Sequence, residues 1–190
     1  MNGRKRAVRN LGLTGLIAGC LMVALVGSSV ATAAQPARGG KKPTRIWMES
    51  TKKDLFFKGP STVKQGTDLQ VINDTNPKKV GPHTFSIVKR KFLPETNKQI
   101  KKCFSPKGIC LPIAIAHEFD ESTGKIGKRT VEIGDTGWDK AFSMHHFGDS
   151  WYTEEKNNRQ TRKVSAKPGT KLFFICAVHP FMQGKITVVK

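Results

Sequence analysis

Two apolar runs near the C-terminus, Lys171 to Cys176 and Lys185 to Val189, limit the fold more than any other feature of the chain. Each is rich in β-branched or aromatic residues, which favour a pleated, half-buried surface. A short loop joins them. The same texture recurs upstream, where strand-length runs are broken by turn residues. Ile46-Trp47-Met48 is one such run, Phe56-Phe57 leads into Pro60, and Ser61 to Lys64 is another. Asp68 to Asn73 sets Leu69, Val71 and Asn73 against Asp68, Gln70 and Ile72, which reads as a largely buried strand. Pro82 to Lys89 places His83, Phe85 and Ile87 on one face and Thr84, Ser86 and Val88 on the other, since side chains alternate along a strand. No internal repeat is present, and no helical periodicity is long enough to organise a domain. The pattern predicts an all-β, Greek-key β-sandwich of roughly 7–9 strands over residues 45–190.

Residues 91–162 form a long insertion between the two β regions. It holds Cys103 and Cys110, the apolar stretch Leu111 to Ala116, an expected strand Thr130-Val131-Glu132-Ile133, and Gly137 to Trp151 with Met144, His145 and His146. Part of it is expected to be a short helix.

Residues 1–33 read as a secretory signal peptide. Arg4, Lys5, Arg6 and Arg9 precede an apolar stretch from Leu11 to Val30, and Ala31-Thr32-Ala33 is a small-x-small cleavage site. A retained membrane anchor and lipidation at Cys20 are the competing readings. Residues 34–44 then form a flexible lead-in. The expected location is periplasmic, or extracellular at the cell envelope.

Removing residues 1–33 takes four of the 33 basic residues and none of the 14 acidic ones, leaving a net charge of +15. Such a field favours acidic or anionic partners and speeds encounter. An export signal, lysines scattered over the whole chain and a single Tyr argue against nucleic acid. An acidic protein partner, or electrostatic association with an anionic membrane surface, is the expectation. The lysines of 88–108 form a solvated face that steers the partner. The chain is expected to be a monomer.

Cys103 and Cys110 bracket a short loop, and an oxidising compartment favours a disulfide between them; two free or metal-binding thiols are the alternative. Cys176 is then an odd thiol, and an unpaired cysteine in an exported protein needs a reason. Cys176-Ala177-Val178-His179-Pro180-Phe181-Met182 supplies it by gathering a thiolate, an imidazole and a thioether within seven residues. Soft sulfur suits Cu(I), and imidazole binds both copper states. His83, on an earlier strand, is placed to add a second imidazole. His117 on its apolar stretch reads as structural, and Met144, His145 and His146 as a thin auxiliary copper-loading candidate.

The run from Leu172 through Cys176, His179 and Met182 to Val188 resembles the C-terminal copper loop of cupredoxins. The two-residue gap between His179 and Met182, with Pro180 inside it, is closest to amicyanin and shorter than plastocyanin-like loops. Pro60, Gly66, Leu69, Val71 and Asn73, followed by His83-Thr84-Phe85, resemble the family's approach to its first ligand. The resemblance implies one type 1 copper, with His83, Cys176 and His179 equatorial and Met182 axial. It further implies that electrons pass through His179. Thr84 stands where many members carry Asn. The function so implied is one-electron transfer outside the cytoplasm between redox partners such as a cytochrome, oxidase or reductase, with no catalytic site of its own. Copper delivery and an accessory module of a larger oxidoreductase are the alternatives.

Overall fold

The computed structural model describes residues 42–120, 125–126 and 131–190, and Lys125 and Ile126 by backbone alone. The expected signal peptide, nearly all of the lead-in, and Thr130 lie outside the described residues. Those described belong to one compact unit, Gly39–Lys190.

The first half of the chain gives β1 (Thr44–Ser50), β2 (Leu55–Lys58), β3 (Thr62–Lys64), β4 (Asp68–Asn73), α1 (Pro77–Val80) and β5 (His83–Val88). A 3-10 turn at Arg90–Phe92 opens the excursion, followed by α2 (Asn97–Lys101), α3 (Cys110–Ala116), β6 (Phe119–Asp120), β7 (Lys125–Ile126) and β8 (Glu132–Ile133). The chain returns through β9 (Ser150–Thr153), β10 (Arg159–Lys163), β11 (Lys171–Ile175) and β12 (Gln183–Val189). One sheet has the order β10-β4-β1-β2 and the other β3-β12-β11-β5-β9-β8. β1 runs parallel to β4, and β3 parallel to β12, so the chain crosses repeatedly between sheets.

Alternation explains which side chains meet between the layers. β4 buries Leu69, Val71 and Asn73, β1 buries Ile46 and Met48, and β12 buries Ile186 and Val188. The apolar side chains among these pack with Phe85, Ile87, Leu172 and Phe174 into one core. Phe57 bridges the layers edge-on to Phe85 and Phe174, at centroid distances of 5.7 and 5.0 Å. Trp138 closes the stack 5.1 Å from Phe85, and its indole N–H donates to the Leu69 carbonyl at 3.2 Å.

β5 is buried at all six positions. Its inner face is the sandwich core, and the excursion covers its outer face. There Val88 packs with Ile109, Ile113, Ala116, Phe142 and Ile175. The stretch Leu111 to Ala116 is helical, with Pro112 in the first turn, where its missing N–H costs nothing. A disulfide joins Cys103 to Cys110, stapling the end of α2 to the start of α3. Thr96 and Gln99 cap α2 reciprocally. Of the strand expected at Thr130–Ile133, Glu132 and Ile133 form the two-residue β8, while Val131 lies in a bend before it. Residues 91–162 are more than an appendage, since β8 and β9 extend the second sheet and β10 edges the first. β1 begins at Thr44, inside the expected lead-in.

Candidate metal centre

His83 opens β5, and the loop between β11 and β12 carries Cys176, His179 and Met182. β5 and β11 are direct antiparallel neighbours, with Ile175 opposite Ser86. That register brings two ligand types distant in sequence to the same end of the sandwich. The Cys176 Sγ lies 3.7 Å from His83 Nδ1 and 3.6 Å from His179 Nδ1. One donor atom from each of the three side chains falls within 4.8 Å of the others. The imidazole rings sit 4.9 Å apart, tilted by 39°. Loop backbone bonds fix this arrangement. The Met182 N–H donates to the His179 carbonyl at 2.8 Å, and the Cys176 N–H to the Met182 carbonyl at 2.9 Å. The Met182 side chain is buried in the core cluster that also contains Cys176.

His83 and Cys176 are fully buried, whereas His179 is partly exposed, flanked by buried Pro180 and by Phe181, which is 52% exposed. Desolvation first, and His179 second, lower the His83 pKa to about 4, so its ring is neutral at physiological pH. Its Nε2 is buried with no hydrogen-bond partner among the described residues. Burial also lowers the pKa of His179, opposed by the Val80 backbone. Burial pushes the Cys176 thiol up, against hydrogen bonds from the Thr84, His179 and Val178 backbones. Two neutral imidazoles aimed at one sulfur, in a pocket of the core, fit a thiophilic metal ion of the copper type. To hold such an ion, Cys176 would give up its thiol proton.

Thr84 acts on the centre twice. Its N–H points at the Cys176 Sγ from 3.3 Å, and its Oγ1 accepts the Ala177 N–H at 2.7 Å. The second bond steadies the loop immediately after the cysteine. Behind Thr84 runs a buried chain of hydroxyls. Ser86 Oγ donates to Thr84 Oγ1 at 3.2 Å and shares a 2.6 Å bond with Ser150 Oγ, which lies 2.8 Å from His117 Nε2. His117, fully buried at the end of α3, thus reaches the metal loop through three hydroxyl side chains. Ser86 and Ser150 carry no motif, and only the strand alternation that turns Ser86 toward Thr84's face pointed to either; Gln183 falls inside the run that resembles a copper loop, which gives it no role of its own. Gln183 Nε2 donates to both Pro180 O, at 2.7 Å, and Pro94 O, at 2.8 Å, tying the loop to the excursion.

The auxiliary candidates do not join this centre. Met144 packs into the outer cluster, while His145 and His146 are exposed. A second group, Asp135, Asp139 and Asp149, brings three carboxylates together. Lys140 pairs with Asp135, Arg162 Nη1 lies 4.0 Å from Asp149, and the Asp139 and Lys140 amides donate to Asp149. Lys140 and Arg162 offset part of this negative charge, and Arg162 ties the excursion to β10 through Glu132 and the Ile133 carbonyl.

The two-sheet β-sandwich thus brings His83, Cys176 and His179 together at one end, the first from the start of β5 and the other two from the loop between β11 and β12. No protein-family model and no curated protein matches the chain. Among solved structures it is similar to a purple cupredoxin from Nitrosopumilus maritimus, with TM-score 0.39 and 12% identity, over 76% of this chain and 98% of that one. It is also similar to auracyanin from Roseiflexus castenholzii, with TM-score 0.37 and 14% identity, over 80% and 100% of the two chains. Auracyanin A, a "blue" copper protein from Chloroflexus aurantiacus, gives TM-score 0.37 and 17% identity, over 77% and 99%.

Proposed function

We propose that this chain is an exported type 1 copper protein that carries one electron at a time between redox partners. His83, Cys176 and His179 would hold one copper in a trigonal set, with Met182 as the weak axial donor. The observation that carries this reading is the convergence of Cys176 Sγ with both Nδ1 atoms, at 3.6 and 3.7 Å, between the start of β5 and the β11–β12 loop. When bound, copper supplies the one-electron couple and the protein the geometry.

Three properties of the chain serve electron transfer. The donors are anchored by β5 and by the β11–β12 loop, so little rearrangement accompanies a change of charge. Burial of His83 and Cys176 keeps water from the sulfur, while the Thr84 N–H takes electron density from it, and both adjust the potential. His179 reaches the surface beside Phe181 and the Val80–Gly81 end of α1, giving a short route out. With a mature charge of +15, an acidic cytochrome, oxidase or reductase is the partner that this surface attracts.

Voltammetry of the copper-loaded protein tests the carrier role against copper delivery. A reversible one-electron wave, with copper retained in both states against a competing Cu(I) chelator, is expected. Loss of the ion to the chelator on each reduction would contradict electron carriage and favour delivery.

A further inference from the structure

The excursion that covers the outer face of β5 also shapes a groove of about 470 Å³. Its floor is apolar, built from Phe92, Leu93, Pro94 and Ile109, and its rim carries Lys91, Lys98, Lys102 and Lys107. Between Lys89 and Lys107 the chain places seven basic residues against one acidic residue, Glu95. None of the seven forms an ion pair among the described residues. Elsewhere, Lys58, Lys140 and Lys163 each have a carboxylate partner. Like-charged ammonium groups around an apolar trough repel one another until an anion enters.

The groove is held open by more than side-chain packing. The Cys103–Cys110 disulfide fixes one wall, and the Thr96–Gln99 capping box fixes α2 in the other. Gln183 then joins the groove to the metal loop, because its amide bonds both Pro94 O on the floor and Pro180 O beside His179. An occupant of this groove sits against a residue held by the loop that carries the exit imidazole.

We infer that this groove seats an acidic polypeptide segment of the redox partner, with carboxylates on the lysine rim and an apolar side chain on the floor. The naming of a redox partner rests on the electron-carrier reading, whereas the groove and its charge do not. Charge complementarity selects an anion, and the apolar floor selects one that also carries a hydrophobic group. The concave shape admits a chain segment, and a flat anionic lipid surface has nothing to place in it.

The test is a 15N NMR titration of the metal-free and the Cu(I)-loaded protein. The probe is a synthetic twelve-residue peptide of Glu and Asp around a central Leu-Phe pair. Saturable shifts are expected at the Leu93, Gln99 and Ile109 amides and the Gln183 side-chain amide. Binding should weaken at least tenfold in K98E/K102E and stay within twofold of wild type in K52E/K53E, which makes the same charge change on the exposed β1–β2 turn. Shifts spread evenly over all lysine faces, or equal weakening by both double variants, would overturn the inference. So would equal binding of an all-Glu peptide, or groove shifts produced by phosphatidylglycerol vesicles or inorganic phosphate and not by the peptide. A colourless copper adduct would remove the electron-carrier reading and leave this map readable.

Discussion

At the scale of single residues, Thr84 does the most for its size. One hydroxyl satisfies a buried amide in the metal loop and ends a hydroxyl chain from His117, while its own N–H points at the sulfur. Thr84→Val keeps the shape and the backbone N–H but strands the Ala177 amide. It should cost about 1–3 kcal/mol of stability, measured by chemical denaturation of the metal-free protein, and Thr84→Ser should recover most of it. Full stability in the valine variant would show that the loop does not depend on this bond. Tyr152 offers a cleaner reading, because it is the only tyrosine. Burial, then Glu154, pushes its pKa up to about 12. An unfolded chain loses the phenolic proton near 10, so the folded state is penalised progressively as pH rises from there to about 12. Phenolate absorbance should therefore titrate near 12, and Tyr152→Phe should lose less stability than wild type across this range. A titration midpoint at 10 would contradict the packing described for Tyr152.

At the scale of elements, β5 and the β11–β12 pair form the frame, and their contacts predict where it is fragile. Gly184 faces Phe174 across the ladder, and a Cβ there would meet the ring at 2.2 Å. That ring is wedged against Phe57 and Phe85, so it has nowhere to move. Gly184→Ala should cost about 1–3 kcal/mol through overpacking, read as a lower Tm. Replacing Cys103 and Cys110 together by Ser should cost about 2–3 kcal/mol by the loop-entropy relation, again read by denaturation. Much of the frame was legible because alternation in β4 and β5 assigns faces one residue at a time, and the donors of one loop are neighbours in sequence. The cover was not. Cys110–Ala116 is too short and uniformly apolar to tell helix from strand by period. β10 reads Arg-Gln-Thr-Arg-Lys because it is a sheet edge with only Arg162 buried, so no apolar signal marks it. The partnership of Ser86 with Ser150 spans 64 residues and leaves no local trace.

At the scale of the whole molecule, charge and the position of the exit imidazole act together. Basic residues are scattered along the whole chain, and of His83, Cys176, His179 and Met182 only His179 is partly exposed; under the electron-carrier proposal, long-range attraction would gather partners and local shape would orient them. Association with an acidic electron donor should slow steeply between low and physiological ionic strength, as screening shortens the reach of the field. A rate independent of salt would contradict steering. All of this depends on the identity of the centre. The most direct measurement is the visible absorption of the Cu(II)-loaded protein beside its Cys176→Ser variant. An intense thiolate-to-copper charge-transfer band that vanishes in the variant is the predicted result. A pale spectrum, or a band that survives loss of the Cys176 sulfur, would contradict the type 1 copper assignment.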